Sequence, residues 1–173
     1  AWTKTRSSVV ANIAVAPDGT PTGYKLVEDT TVTNSHYVYE QINLSTIGSL
    51  TYSFYAKAGE RTLTGIRFYS TNGVFPTSQS AVFNLSNGTI DLTDGSDLIA
   101  SMQNVGGGWY RCIATRTSIA TGLTNIAIQI YTNGIADWTG DGVSGLYIWG
   151  AQLEKGTVAS PYTPTTSSAV NRS

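Results

Sequence analysis

NIAIQIY, residues 125–131, alternates isoleucine with smaller or polar residues at a period of two. Successive side chains of an extended strand point to opposite faces, so Ile126, Ile128 and Ile130 form a core stripe. Ala127, Gln129 and Tyr131 are then directed to the other face. The same grammar continues outward along the chain. Nowhere do apolar residues recur at helical spacing over three turns, whereas short runs rich in Thr, Val, Ile and Tyr alternate with Gly, Asn and Asp.

The pattern predicts strands over residues 24–28, 36–44, 50–57, 63–70, 80–85, 89–92, 109–118, 125–132 and 145–153, with a further strand within 2–10. Nine or ten strands of this kind make an all-β fold, a two-sheet antiparallel β-sandwich. Asn87-Gly88 between VFNLS and TIDL predicts a two-residue type I′ hairpin, because that turn needs positive φ at both positions. Asn72-Gly73, Asp94-Gly95 and Asn133-Gly134 mark further reversals. Gly106-Gly107-Gly108 reads as a turn or bulge feeding Trp109 into a strand as a packing anchor, which leaves only Arg111 open to polar duty. Residues 1–159 are assigned to the sandwich, and 160–173, rich in Pro, Ser and Thr, to a tail or exit linker.

The chain has 173 residues, one ordinary domain's worth, and only 12% of them are charged, about half the usual share. A net charge of −1 supplies no electrostatic footprint for nucleic acid or an anionic membrane. No apolar run approaches membrane-spanning length, and the start at Ala1-Trp2 carries no signal-like segment, so the chain reads as a piece of a longer protein. A single cysteine, Cys112, excludes an internal disulfide and in a strand behaves as a small buried hydrophobe. Four Asn-X-Ser/Thr triplets are expected by chance in so Asn- and Ser-rich a chain.

Nucleophilic catalysis needs a base beside the nucleophile, and the one histidine, His36, reads as a surface or packing residue. The acids fall mostly in turn-like contexts rather than in recognisable pairs, so no enzyme is expected. The aspartates at 91, 94 and 97 recur every third residue, unlike the alternate spacing of an EF-hand-type calcium loop. Asp137 and Asp141 are a second weak metal candidate.

Neutral sugars are bound by aromatic rings together with side chains that bond hydroxyls in a pre-formed cleft. In residues 63–70 the alternation puts Arg67 and Tyr69 opposite the core-facing Ile66 and Phe68. Arg67, Tyr69, Gln129 and Tyr131 are therefore expected to point outward and to line one groove if their strands share a sheet. Tyr37, Tyr39 and Gln41 form a further face, opposite His36, Val38 and Glu40. Trp138 in ADWTGDG is expected to be a partly exposed loop aromatic available for stacking, with Phe75 a weaker loop candidate.

Several segments carry a family resemblance: WTKT (2–5), APDGT (16–20), YKLVED (24–29), LTYSFYAKAG (50–59), GGWYR (107–111), LYIWGAQLE (146–154) and SPYTPTT (160–166). Together they resemble the jelly-roll modules common in bacteriophage tail, spike and head-fibre proteins. Those modules are similar to the non-catalytic carbohydrate-binding modules appended to xylanases. The resemblance implies a sandwich whose concave face binds a polysaccharide. It also implies a parent multidomain protein, such as a trimeric phage fibre, at the virion surface or outside the cell. Many enzyme-linked relatives hold a structural calcium with an aspartate near the final strand, where this chain reads Tyr147-Ile-Trp-Gly150. A structural or assembly domain of a fibre is the alternative reading, and a glycan-cleaving enzyme a lesser one.

Overall fold

A computed structural model describes residues 2–95 and 97–164. The strands are β1 (Thr3–Thr5), β2 (Ser7–Ala14), β3 (Gly23–Glu28), β4 (His36–Leu44), β5 (Gly48–Lys57), β6 (Leu63–Phe68), β7 (Gln79–Asn84), β8 (Thr89–Thr93), β9 (Ile99–Gly106), β10 (Trp109–Ser118), β11 (Gly122–Tyr131) and β12 (Gly145–Lys155). They pair antiparallel in two six-stranded sheets, ordered β1-β4-β11-β6-β7-β8 and β2-β3-β12-β5-β10-β9. The all-β, two-sheet sandwich predicted from the alternation is what the chain forms.

The core lies between the sheets. Val38, Ile66, Phe68, Ile126, Ile128 and Ile130 of the first sheet face Leu26, Tyr52, Phe54, Cys112, Ala114 and Ile148 of the second. Burial pushes the Cys112 thiol far above its ordinary range, so it is an inert packing residue. Gly106, Gly107 and Gly108 all have positive φ, and Trp109 leaves that turn buried, its indole N–H donating to the Val15 carbonyl at 3.0 Å.

Four sequence expectations are corrected. The strand within residues 2–10 breaks at Arg6, whose φ is 49°, so that β1 joins the first sheet and β2 the second. β9 was not predicted; it is an edge strand with mostly exposed residues, which gives little alternation to read. The hairpin at Asn87-Gly88 is not a two-residue type I′ turn. It is a wider turn over residues 85–88 in which Gly88 alone has positive φ, because Leu85 is drawn into the core and the side chains of Asn84 and Asn87 accept the N–H groups of Ser86 and Thr89. Phe75, a loop candidate for stacking, is 1% exposed and packs edge-on against Phe68 beneath the Arg116 guanidinium.

The first part of the segment read as a tail or exit linker is among the described residues. Residues 160–164 lie across the outer face of the second sheet, where Ser160 N–H donates to the Glu154 carboxylate and Thr163 N–H to Gln152 Oε1. Tyr162 packs on Trp149 and Tyr55, with ring centroids at 4.5 and 6.2 Å. Arg111 bonds the Ser160 carbonyl, which is the polar duty left open for it. The rest of the predicted tail, 165–173, lies outside the described residues.

Candidate functional site

Residues 160–164 lie over Trp149 and Tyr55 of the second sheet, while the sequence-predicted polar residues of β4, β6 and β11 lie in the first. Its register brings distant residues side by side. Gln129 of β11 pairs with Tyr37 of β4 on one side and Gly65 of β6 on the other, and Ala127 pairs with Tyr39 and Arg67. A recess of about 300 Å³ opens there, lined by Ser35, Tyr37, Arg67, Tyr69, Gln129, Ala136 and Asp137. That volume is at the lower end of the roughly 300–1,000 Å³ common for ligand pockets.

Four of the predicted residues, Tyr37, Arg67, Tyr69 and Gln129, therefore converge. The Tyr37 and Tyr69 rings lie 6.0 Å apart, and the Arg67 guanidinium stands 5.0 Å from the Tyr69 centroid. Gln129 Nε2 donates to the Tyr69 hydroxyl at 2.9 Å, and that hydroxyl is also bonded to Tyr37. Burial first, and then the neighbouring Tyr37, push the Tyr69 hydroxyl's pKa well up, so it stays protonated and serves as donor and acceptor. Arg6 fixes the rim: it donates from Nε to the Ser35 carbonyl at 2.6 Å and lies 5.6 Å from the Tyr37 centroid.

The face holds buried polar atoms without hydrogen-bond partners among the described residues: Gln129 Oε1, Arg67 Nε and, two residues along β11 from Ala127, Asn125 Oδ1. Gln129 is only 2% exposed, so its oxygen is cut off from bulk water. Exchanging the amide oxygen and nitrogen leaves one of them unpartnered all the same. A buried polar group in this state costs about 1–3 kcal/mol.

Two predicted contacts fall elsewhere. Tyr131 is on the expected outer face but is not free; it is 4% exposed and packs with Leu63, Val82 and Ala136. The reason is Gly65, whose missing side chain leaves the place occupied by the Tyr131 ring: a Cβ there would come within 2.6 Å of it. Tyr131 thus forms the floor beside the recess, and its hydroxyl bonds Ser80 and Arg67.

Trp138 is partly exposed, as expected of a loop tryptophan, but it does not line the recess. It packs against the core and against His36, with ring centroids 4.7 Å apart, and its indole N–H donates to Glu28 Oε2 at 3.2 Å. Backbone bonds to Asn34 in both directions hold it, and this pins the preceding loop, with Ala136 and Asp137, at the rim of the recess. His36 is a fully buried packing residue whose Nδ1 faces the Arg6 carbonyl at 2.7 Å.

Glu28 was read as closing a strand; it is a buried carboxylate held by Arg61 at 2.5 and 2.9 Å, by Trp138 and by the Asp141 N–H at 2.9 Å. Burial works to raise its pKa, but the Arg61 pair and these N–H donors outweigh it and leave it lowered. Asp141 is committed to its own turn: it accepts the Ser144 hydroxyl and the N–H groups of Ser144 and Val143, which hold its pKa down at about 2. Asp137 lines the recess, whereas Asp141 is engaged in the turn at Ser144. Among the described residues no group of three or more His, Cys, Asp or Glu is arranged for a metal ion. Asp97, from the acidic run at 91–97, pairs with Arg116 at 3.3 Å.

Sequence reasoning missed Ser35, Ala136 and Asn125. Asn125 was legible, since it shares its parity with Ala127 and Gln129. Ser35 and Ala136 lie outside the strands and are brought in by the Asn34–Trp138 bridge, which no alternation reveals. No protein-family model matches the chain, and no curated protein does either.

Proposed function

We propose that the chain is a non-catalytic carbohydrate-binding module that takes a neutral or weakly charged polysaccharide on the outer face of its first sheet. The observation that carries this reading is the recess in which Tyr37, Arg67, Tyr69 and Gln129 meet with buried, unpartnered polar atoms. Sugar hydroxyls both donate and accept, which suits a lining of tyrosine hydroxyls, a glutamine amide and an arginine guanidinium. The half-buried tyrosines supply the apolar ring faces. The resemblance to jelly-roll phage modules implies glycan binding on a concave sheet face and, with it, an extracellular or virion-surface parent. Affinity electrophoresis against plant, algal and bacterial polysaccharides tests it. At least one glycan is expected to retard the protein, and Ala at 37, 67, 69 and 129 together to abolish that; retardation unchanged in the quadruple variant, or absent throughout, rejects the reading.

One observation favours fibre assembly as a second role. β8 is exposed along its length, with Ile90 and Leu92 on it and Ile99 on β9, both at sheet edges. Light scattering separates the roles: a stable trimer without glycan affinity supports assembly alone, and a monomer retarded by one polysaccharide supports recognition alone.

A further inference from the structure

The arginines of this chain are set against acids. Arg61 is paired with Glu28 and Arg116 with Asp97, and the charges of Arg6 and Arg111 act on Asp29 and Glu154. Arg67, in the recess, is the exception among the described arginines. Its guanidinium stands over the Tyr69 ring at 5.0 Å and bonds the buried Tyr131 hydroxyl, and no carboxylate of a described residue forms an ion pair with it. Both of those partners are neutral phenols, so neither balances the charge. A guanidinium presents five N–H donors in one plane. Nε is buried, so a ligand in the recess is met by the Nη groups. The Tyr69 ring and the Tyr131 hydroxyl hold that plane in place, so little side-chain freedom is lost on binding.

The neighbouring charges decide which anion fits. Arg6 lies on the far side of the tyrosine pair, 5.6 Å from the Tyr37 centroid, and adds positive charge. Asp137, exposed on the rim, brings a negative charge into the same lining, and Asp94 acts on the Tyr131 hydroxyl. A polyanion drawn across the recess would set some of its charges against Asp137. One carboxylate on an otherwise neutral chain meets Arg67 alone, and Ser35 and Asp137 suit the hydroxyls of the sugars beside it. The planar guanidinium fork matches a planar carboxylate, and such charge-assisted bonds are about twice as strong as neutral ones.

We propose that the recess takes a weakly acidic polysaccharide, a neutral chain bearing isolated uronic acid units, with one uronate carboxylate held by the Arg67 guanidinium. This rests on the recess being a glycan site and assigns the chemistry of its ligand. Glucuronoxylan, xanthan and gellan are the probes in affinity electrophoresis, each beside its carboxyl-reduced form, in which a hydroxymethyl group replaces the carboxylate on the same chain. At least one acidic form is expected to bind about tenfold more tightly than its reduced form, and the difference to shrink as salt is raised. Arg67→Gln is expected to bring the acidic form down to the reduced one. Arg67→Lys keeps the charge without the fork and is expected to lose most of the difference. Asp137→Asn, at an exposed residue, acts in the other direction and raises affinity for the acidic form alone. Polygalacturonate and dextran sulfate are expected to bind less tightly than the preferred chain. Equal retardation by acidic and reduced forms, lost with Ala at 37, 67, 69 and 129 together, rejects the uronate and keeps the glycan reading. An undiminished preference in Arg67→Gln, tightest binding to dextran sulfate, or no retardation by any of the acidic probes overturns the proposal.

Discussion

Gln129 occupies the exchange point between stability and recognition. The alternation that buries Ile128 and Ile130 obliges position 129 to face outward, and a register shared with Tyr37 and Gly65 then encloses it. Gln129→Leu removes the unpartnered oxygen at nearly constant volume, while Tyr69 keeps its bond to Tyr37. The expected result is a melting temperature equal to or above that of the parent, with glycan affinity down by about tenfold or more. Trp138→Phe is the opposite case: it deletes the N–H donated to buried Glu28, and denaturant unfolding is expected to show a loss of about 1–3 kcal/mol with glycan retardation intact. Gly65→Ala drives a methyl group toward the Tyr131 ring and the Ala81 carbonyl, 2.6 and 2.9 Å from the new carbon, at a cost of about 1–3 kcal/mol in the same experiment.

At the scale of elements, the central strands were legible and the margins were not. β4 and β10 run over the predicted residues because each is flanked by strands on both sides and carries a clear apolar stripe. β1 and β2 were read as one strand because positive φ at an arginine leaves no mark in composition. Among the candidate residues, parity placed Arg67, Tyr69 and Gln129 on the face opposite the core stripe, and left open which face of its strand carries Tyr37 to solvent. The contacts of Tyr131 and Trp138 were not legible, because they come from partners distant in sequence, Val82 for the one and Glu28 for the other. The closing segment shows the same effect: its composition reads as linker, yet a buried arginine and a glutamate anchor it to β10 and β12. Arg111→Ala is expected to free it, seen as faster proteolytic trimming beyond Lys155 while the sandwich itself stays intact.

For the whole molecule, the network joining Glu28, Arg61, Trp138 and Asp141 clamps the end of the sandwich and sets its response to acid. Glu28 is lowered from the ordinary 4.5, so its contribution is complete above that pH and is lost as pH falls through the lowered folded value. Asp141, at about 2, follows the same sign further down. Glu40, raised by burial, acts in the opposite sense and gains on protonation. Melting temperature is therefore expected to fall below pH 4.5, and Glu28→Gln to melt lower at neutral pH with a shallower acid decline.

The central claim is that a polysaccharide lies over the recess of the first sheet. Titration of isotope-labelled protein with the glycan that retards it, followed by backbone and side-chain amide shifts, tests this most directly. The account predicts the largest changes at Ser35, Tyr37, Arg67, Tyr69, Asp137 and the Gln129 side-chain amide. Shifts concentrated on β8 and β9, or on the tail-covered face around Trp149, contradict it.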